Sequence, residues 1–514
     1  MRAPQRLAAA LALGGLLTAA CGARLTPAQH NAALTQNAGG TTGGAGSTGT
    51  TGSTGSTGTT GSTGTTGSSG TGGTTGTGGT TGTTGTSGAA GTAGTTGKPG
   101  AAGSTGGAAA NGDFTKAPAG GNGGATDVGV TATSLTVANV SDVSGAVPGL
   151  FEDARFAVQA YFKYYKARYG TLYGRTINVL ALDSQLDSGA NRSASIQACH
   201  DAFAGVGSVS AFDQGGAPVI KDCKIPDLRG LSTTDEMKAV PNAFPINSAG
   251  VGGKRSLGVF GWAAEKFPDA VKKAAYVYSD GQVTRQLEQQ DAEGAKKVLG
   301  FNWVDEIAVG TTETNYLPVV NQLKSDGARY VTFVGAYQQA ANLAKTMASQ
   351  NYKPDVFQPT VTAYTPNYIA QAGAASEGTY VAVAPSLNEE MTGNPELTLY
   401  AQWLQQVKPN AVPTAIGQFA WAAAALFVQK MIEVGPRPTR VALLAKIPGI
   451  HNYDGNGLFP GQDVGGRELS DCTAVVQVKN GAFVRVEPAA PRGLRCKDGV
   501  YDTKTKQREK GVPR

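Results

Sequence analysis

Residues 39–124 of this 514-residue chain are almost entirely Gly, Thr, Ser and Ala, and that tract limits what the rest can be. Lys98 is its one charge before Asp113, and no large apolar side chain appears until Phe114. A segment without apolar bulk cannot offset the chain entropy lost on ordering, so the tract is expected to be a disordered linker. Its Thr-Gly and Ser-Thr-Gly units recur at a period far below that of any stacking repeat. As a flexible coil of about 90 residues it has a root-mean-square reach of roughly 50 Å, enough to hold a domain clear of a membrane. Any globular fold must lie beyond it.

Ahead of the tract, Arg2 and Arg6 precede an apolar run over residues 7–20 that ends in small residues and Cys21. The run is too short for a stable membrane span and reads as a secretory signal. Leu17-Thr18-Ala19-Ala20-Cys21 is close to a lipobox, in which the new N-terminal cysteine receives a diacylglycerol; Thr18 stands where Leu is usual. The expectation is a signal peptide over 1–20, a lipidated N-terminus over 21–38 with the acyl group on Cys21, and a place on the outer face of the cytoplasmic membrane or in the cell envelope. Plain secretion is the alternative. No other stretch reads as a membrane span.

The formal net charge of +6 falls by two with the loss of Arg2 and Arg6, and the remaining Lys and Arg are spread among acids. Nothing there indicates nucleic acid. Without Cys21 the cysteines form an even set, Cys199, Cys223, Cys472 and Cys496, in which the same spacing separates the first two and the last two. That is not metal-ligand spacing, and His30, His200 and His451 are scattered. No metal and no cofactor are expected. Two local disulfides, Cys199 with Cys223 and Cys472 with Cys496, are the economical reading for an oxidising compartment, each stabilising by roughly 3 kcal/mol in the chain-entropy description.

The folded part begins with an apolar strand marked by Leu135, Val137 and Val140, a loop of small residues over 141–150 that includes Ser144, and then a helical period. Ala154, Ala157, Val158, Tyr161, Phe162 and Tyr165 recur at helical spacing and mark one buried face. Strands and helices alternate from there to about residue 490, which predicts α/β with parallel sheets. Strands are expected over 177–182, 206–212 and 225–231, then over 274–278, 307–309 and 330–334, with a further strand end at 359–364. The helix over 418–434 is apolar on nearly every side, as a buried helix would be, and Lys479-Asn480-Gly481 joins two alternating segments as a hairpin turn. The first strands end in polar or glycine loops: Asp183-Ser184-Gln185, Asp213-Gln214-Gly215-Gly216 and Ser232-Thr233-Thr234-Asp235. In open α/β sheets ligands sit at such strand C-termini, although each loop taken singly reads equally well as a solvated turn or cap.

Thr136-Val137-Ala138-Asn139-Val140, then Ser144-Gly145-Ala146-Val147-Pro148-Gly149, a helix, and Tyr173-Gly174-Arg175-Thr176-Ile177 resemble the opening of type I solute-binding proteins, the branched-chain amino-acid receptors of ABC importers. The resemblance covers about residues 127–490 and rests on motif order and spacing. It implies two Rossmann-like α/β lobes joined by a three-strand hinge, with crossings near 245–250, 382–386 and 447–453. Lobe one would comprise about 127–247 and 386–449, and lobe two about 248–385 and 450–490. The charged tail over 497–514 is expected to be loose. In the resembling family a disulfide spans a helix and the following strand, as Cys199 with Cys223 would.

The folded region has no G-x-S-x-G elbow, no phosphate loop and no H-E-x-x-H, so no enzyme is expected. His200 beside Cys199 reads as a helical surface residue, and Glu389-Glu390 as a solvated pair. Three functions are weighed: a tethered, monomeric receptor that delivers a small molecule to ABC-transporter permease subunits, a tethered small-molecule sensor with the same fold, and a cell-wall hydrolase.

The resemblance also implies a ligand site. In the family, hydroxyls and helix N-terminal N–H groups of lobe one meet an amino acid's carboxylate, while an acid and aromatics of lobe two meet its ammonium. Here Ser232, Thr233 and Thr234 offer hydroxyls, and Tyr337 and Tyr364 offer walls. Two departures stand out. Asp213-Gln214 replaces small hydroxyl residues, so a ligand carboxylate would face Asp213. Thr362-Ala363-Tyr364 supplies no acid, leaving Asp280 as the nearest substitute. The expected ligand is a small polar organic solute held by Ser144, Gln214, Thr233, Asp280, Tyr337 and Tyr364.

Overall fold

In the computed structural model, which describes residues 113–248 and 253–512, β1 (Ser134–Ser141) runs through the small-residue loop into α1 (Glu152–Tyr169). The expected signal peptide, Cys21 and the linker up to residue 112 lie outside the described residues. All six positions of the α1 face read from the sequence are buried. Glu152 and Asp153 occupy its first turn, where the helix dipole favours acids.

The chain continues as β2 (Thr176–Asp183), α2 (Ser188–Asp201), β3 (Ala204–Val206), α3 (Ala217–Cys223), β4 (Asp227–Leu231), α4 (Asp235–Lys238) and β5 (Ala243–Asn247). After residues 249–252 come β6 (Lys254–Ser256), α5 (Gly258–Lys266), β7 (Ala274–Ser279), α6 (Gln282–Leu299), β8 (Trp303–Val309), α7 (Leu317–Ser325), β9 (Tyr330–Val334), α8 (Tyr337–Ser349), β10 (Val356–Pro359), α9 (Pro366–Ala372) and β11 (Tyr380–Val383). Helices α10 (Pro395–Leu404), α11 (Ala415–Val434) and α12 (Arg440–Leu444) follow, then β12 (Ala474–Lys479), β13 (Ala482–Glu487), β14 (Val500–Asp502) and β15 (Gln507–Glu509).

Two parallel sheets make two lobes. In lobe one the order is β2-β1-β3-β4-β5, and in lobe two β10-β9-β7-β8. Ser141 is paired with Asp183, so β1 and β2 end level and open their loops on one crest. Ser279 is paired with Val309 and does the same for lobe two. Each sheet buries both faces, as parallel strands under helices must. Helix α11 is long and apolar enough to cross a membrane by length and composition, yet it is mostly buried; Trp421 meets Tyr161 of α1 edge to face at 5.0 Å in the core of lobe one.

Four expectations are corrected. The strand placed at 206–212 ends at Val206, and the following residues form a buried loop. The linker, placed up to residue 124, gives way to folded chain by residue 113. Tyr173 N donates to Phe114 O (2.6 Å), and the buried Arg175 guanidinium donates to Asn122 O (2.6 Å) and Gly124 O (3.0 Å). The third crossing, expected near 447–453, comes later, because Leu458, Phe459 and Val464 are buried in the core of lobe one and Arg467 donates to Val240 O (2.8 Å). Glu468 then pairs with Lys254 of β6 at 3.2 Å, so the crossing falls just after residue 467.

The fourth correction concerns the tail. Beyond Cys496 it is ordered rather than loose: β14 is the central strand of a small sheet, β15-β14-β6, and Tyr501 is fully buried. The hairpin β12–β13 has its turn at Asn480 and Gly481, both with positive φ (52° and 73°), the conformation that makes Asn-Gly favourable there. Both expected disulfides are present. Cys199–Cys223 joins α2 to the end of α3, two helices rather than a helix and a strand.

Candidate functional site

Two buried carboxylates organise the crest of lobe one. Asp142, at the end of β1, accepts from Ser184 Oγ (2.6 Å), Ser210 Oγ (2.9 Å), Ala211 N (2.7 Å) and Leu186 N (3.1 Å). It thereby ties together the loops that follow β1, β2 and β3. Burial pushes its carboxyl above the usual range, against the pull of those hydrogen bonds.

Asp213 does the same between β3 and β4. It accepts from Thr233 N (3.0 Å), Thr234 N (3.0 Å) and Thr234 Oγ1 (2.6 Å), and pairs with Arg229 at 3.2 Å. It is fully buried, so it does not confront a ligand carboxylate as the sequence suggested. Its charge is met inside the protein.

The sequence-predicted residues are placed unevenly. Thr233 reaches the crest but donates its hydroxyl to Ser210 O (2.6 Å); the neighbouring Ser232 Oγ is buried without a partner. Ser144 is exposed, and its hydroxyl donates to Asp183 Oδ2 (2.6 Å). Burial would raise Asp183, but the Ser144 hydroxyl and the surrounding N–H groups outweigh it and hold the carboxyl below its usual range. Gln214 points across to lobe two, where its Nε2 donates to Gln282 Oε1 (3.4 Å). Gln282 donates back to Glu236 Oε1 (3.2 Å), and Gln286 donates to Asp235. The two crests therefore meet along the first turn of α6.

In lobe two, Asp280 is exposed and its carboxylate is engaged by Arg285 at 2.5 Å. Tyr337, the first residue of α8, is half-buried and lies near enough to Asp153 and Glu152 of lobe one to feel their charge. Tyr364 is not a cleft wall. Residues 361–363 form a tight helical turn after β10 that carries it under the hairpin, where its ring lies 4.9 Å from Phe483. Its hydroxyl donates to Glu389 Oε2 (2.6 Å) and accepts from Asn388 N (2.8 Å); Glu389 itself is exposed, as the sequence suggested. Burial pushes the Tyr364 hydroxyl well up.

Sequence reasoning missed Asp153. Burial raises its carboxyl to about 6, offset by a hydrogen bond with Thr414 and reinforced by the charge of Glu152. Thr414 is the N-cap of α11, accepting from Gly417 N at 3.0 Å. In the sequence Asp153 looks like an ordinary first-turn acid; the signal available was that this turn directly follows the loop at the end of β1. Among the described residues no three His, Cys, Asp or Glu are grouped so that they could hold a metal ion.

The arrangement, two crests with polar side chains facing each other beside a hinge, can enclose a small molecule. Comparison with known proteins agrees. Solved structures share the fold: a fatty acid ABC transporter substrate-binding protein from Thermomonospora curvata (20% identity, TM-score 0.60, covering 73% of this chain and 96% of that one) and a leucine binding protein from Thermotoga maritima (15%, 0.58, 68% and 97%). The branched-chain amino acid transporter substrate binding protein of Streptococcus pneumoniae, solved with isoleucine, is a third (12%, 0.58, 69% and 100%). No curated protein matches the chain in sequence. The model of the periplasmic binding protein family matches residues 134–482, which bears out the resemblance read from the sequence: the chain belongs to that family and has its type I fold.

Proposed function

We propose that this protein is a membrane-tethered receptor of an ABC importer, which captures a small polar solute by closing its two lobes and presents it to permease subunits. The observation that carries this reading is the seam at Gln214 and Gln282, where side chains from opposite crests meet. A solute held between the crests would stabilise that closed arrangement through contacts with both. The protein binds and does not catalyse. An acyl chain on Cys21 and the linker would keep the monomer near its permease outside the cytoplasm.

The test is a thermal-shift screen of amino acids, amines, organic acids and fatty acids, followed by calorimetry on each hit, because a ligand that binds only the folded state raises its melting temperature. At least one solute is expected to bind and to contract the protein in small-angle scattering. Binding without contraction would remove hinge closure. Intact-mass analysis of the membrane fraction should find residue 21 acylated; an unmodified N-terminus there would mean plain secretion.

A further inference from the structure

Solute capture makes no use of the C-terminal tail, whose exposed charge is all of one sign. Across residues 496–512 the exposed charged side chains are Lys497, Lys504, Lys506, Arg508 and Lys510. The acids of that stretch are drawn inward. Asp498 is buried and engaged by Arg495 at 2.8 Å, and Asp502 is buried and accepts from Lys504 N (2.7 Å). Side chains alternate along β15, so Glu509 turns to Lys254 of β6 at 2.9 Å, while Lys506 meets Glu293 of α6 at 2.8 Å. Lys297 holds the same Glu293 carboxylate at 2.8 Å, which joins the end of α6, with the exposed Lys296 beside it, to the tail as one face. Glu265 is likewise taken up, by Arg495 at 2.9 Å and Lys497 at 2.7 Å. Arg508 donates to Lys497 O (2.7 Å), and with Lys497 and Lys510 it lines an open hollow of about 510 Å³. Asp471, which also lines it, is buried and accepts from Gly499 N (2.7 Å).

We propose that this face of lobe two docks on the anionic phospholipid headgroups of a membrane surface. Its cations are spread over a helix end, a turn and an edge strand, as a plane of phosphates requires, rather than along one groove. Among the described residues, Lys296, Lys504, Arg508 and Lys510 enter no ion pair, so their charge is available to a partner. Each Lys or Arg brought near an anionic surface strengthens attachment by about fivefold, and the attraction fades within roughly 10 Å at ordinary salt. The hollow between Lys497, Arg508 and Lys510 is wide enough to admit a headgroup phosphate, for which a guanidinium and two ammonium groups are suited donors. No exposed large apolar side chain lies in α6 or in residues 496–512, so the face would rest at the headgroups without inserting. The linker's reach of roughly 50 Å would let an anchored chain lay this face on the membrane that holds it. Docking of this kind is independent of which solute the cleft takes.

The test is co-sedimentation of the mature chain carrying Cys21→Ser, so that no acyl group contributes, with phosphatidylcholine vesicles that contain or lack phosphatidylglycerol. Binding is expected to the phosphatidylglycerol vesicles alone, and to disappear in about 1 M salt, where screening shortens to roughly 3 Å. Lys504→Gln together with Lys510→Gln should weaken it by about tenfold or more, from two cations lost. Lys221→Gln with Lys345→Gln, which makes the same change in net charge on α3 and α8, should leave it within about twofold. The vesicle and salt comparisons use the unaltered tail, so they stand whatever the variants do to folding. No binding, equal binding to both kinds of vesicle, or an equal loss in the α3 and α8 variant would overturn the docking face. Binding to soluble polyphosphate with none to vesicles would overturn it as well, by showing a linear polyanion as the partner.

Discussion

Gln214 in lobe one donates its side-chain amide to the side-chain carbonyl of Gln282 in lobe two at 3.4 Å, and Gln282 donates in turn to Glu236 of lobe one at 3.2 Å. One residue thus carries two of the polar links across the cleft. Gln282→Ala removes both. At about 0.5–1.5 kcal/mol for each, part of which solvent recovers when the lobes open, solute affinity should fall by about three- to tenfold. The loss should show mainly as faster release in stopped-flow measurements. Unchanged release would mean that the seam is incidental to closure.

Asp213 offers a sharper contrast between the two readings of this crest. If it faced a ligand carboxylate, Asp213→Ala would tighten binding of acids and leave stability alone. Instead it is buried against Arg229 and two backbone N–H groups. Removing it leaves Asp227, at 2.8 Å, as the carboxylate facing the guanidinium and frees the loop of Thr233 and Thr234. The expected outcome is a loss of about 3–5 kcal/mol in denaturant unfolding, the scale of breaking a buried pair from one side.

What the sequence disclosed follows from the range of each interaction. The period of α1 and the Asn480-Gly481 turn are local, so the buried face and the hairpin could be read directly. Asp213 was misread because its partner Arg229 lies on the next strand, β4, beyond α3, and charge in a loop looks the same whether it faces water or a buried guanidinium. The late third crossing was hidden because Leu458, Phe459 and Val464 sit in a glycine-rich stretch without periodicity. Tyr337 was placed at the cleft by its position at a strand end, whereas Tyr364 met the same criterion and is buried under the hairpin by the tight turn that precedes it.

The tail makes a further prediction. Val500 and Tyr501 are 2% and 0% exposed, β14 pairs with β6, and Gly499 N donates to Asp471 at 2.7 Å. Side chains of this size contribute about 1.5–3 kcal/mol each when fully buried. Deleting residues 498–514 should therefore destabilise lobe two by about 3 kcal/mol or more, visible as a lower melting temperature. A truncated chain that melts like the full one would restore a loose tail.

The last prediction separates stability from binding at Asp153. Its carboxyl is raised to about 6 in the folded protein, chiefly by burial, from 3.8 as the ordinary value. Between those pH values the folded state holds more protons than the unfolded one, so stability falls as pH rises through the window. The favourable contribution of the protonated form is complete below 3.8, and the full penalty of the charged form is felt above 6. Asp153→Asn, a neutral mimic of the protonated side chain, should leave stability unchanged at low pH and raise it above pH 6 by up to about 2 kcal/mol, allowing for partial exposure. Charged groups kept where they destabilise the fold are a mark of sites selected for binding. Denaturant unfolding of both proteins across this range is the measurement; equal stability at neutral pH would show that Asp153 is comfortable as a carboxylate without a ligand.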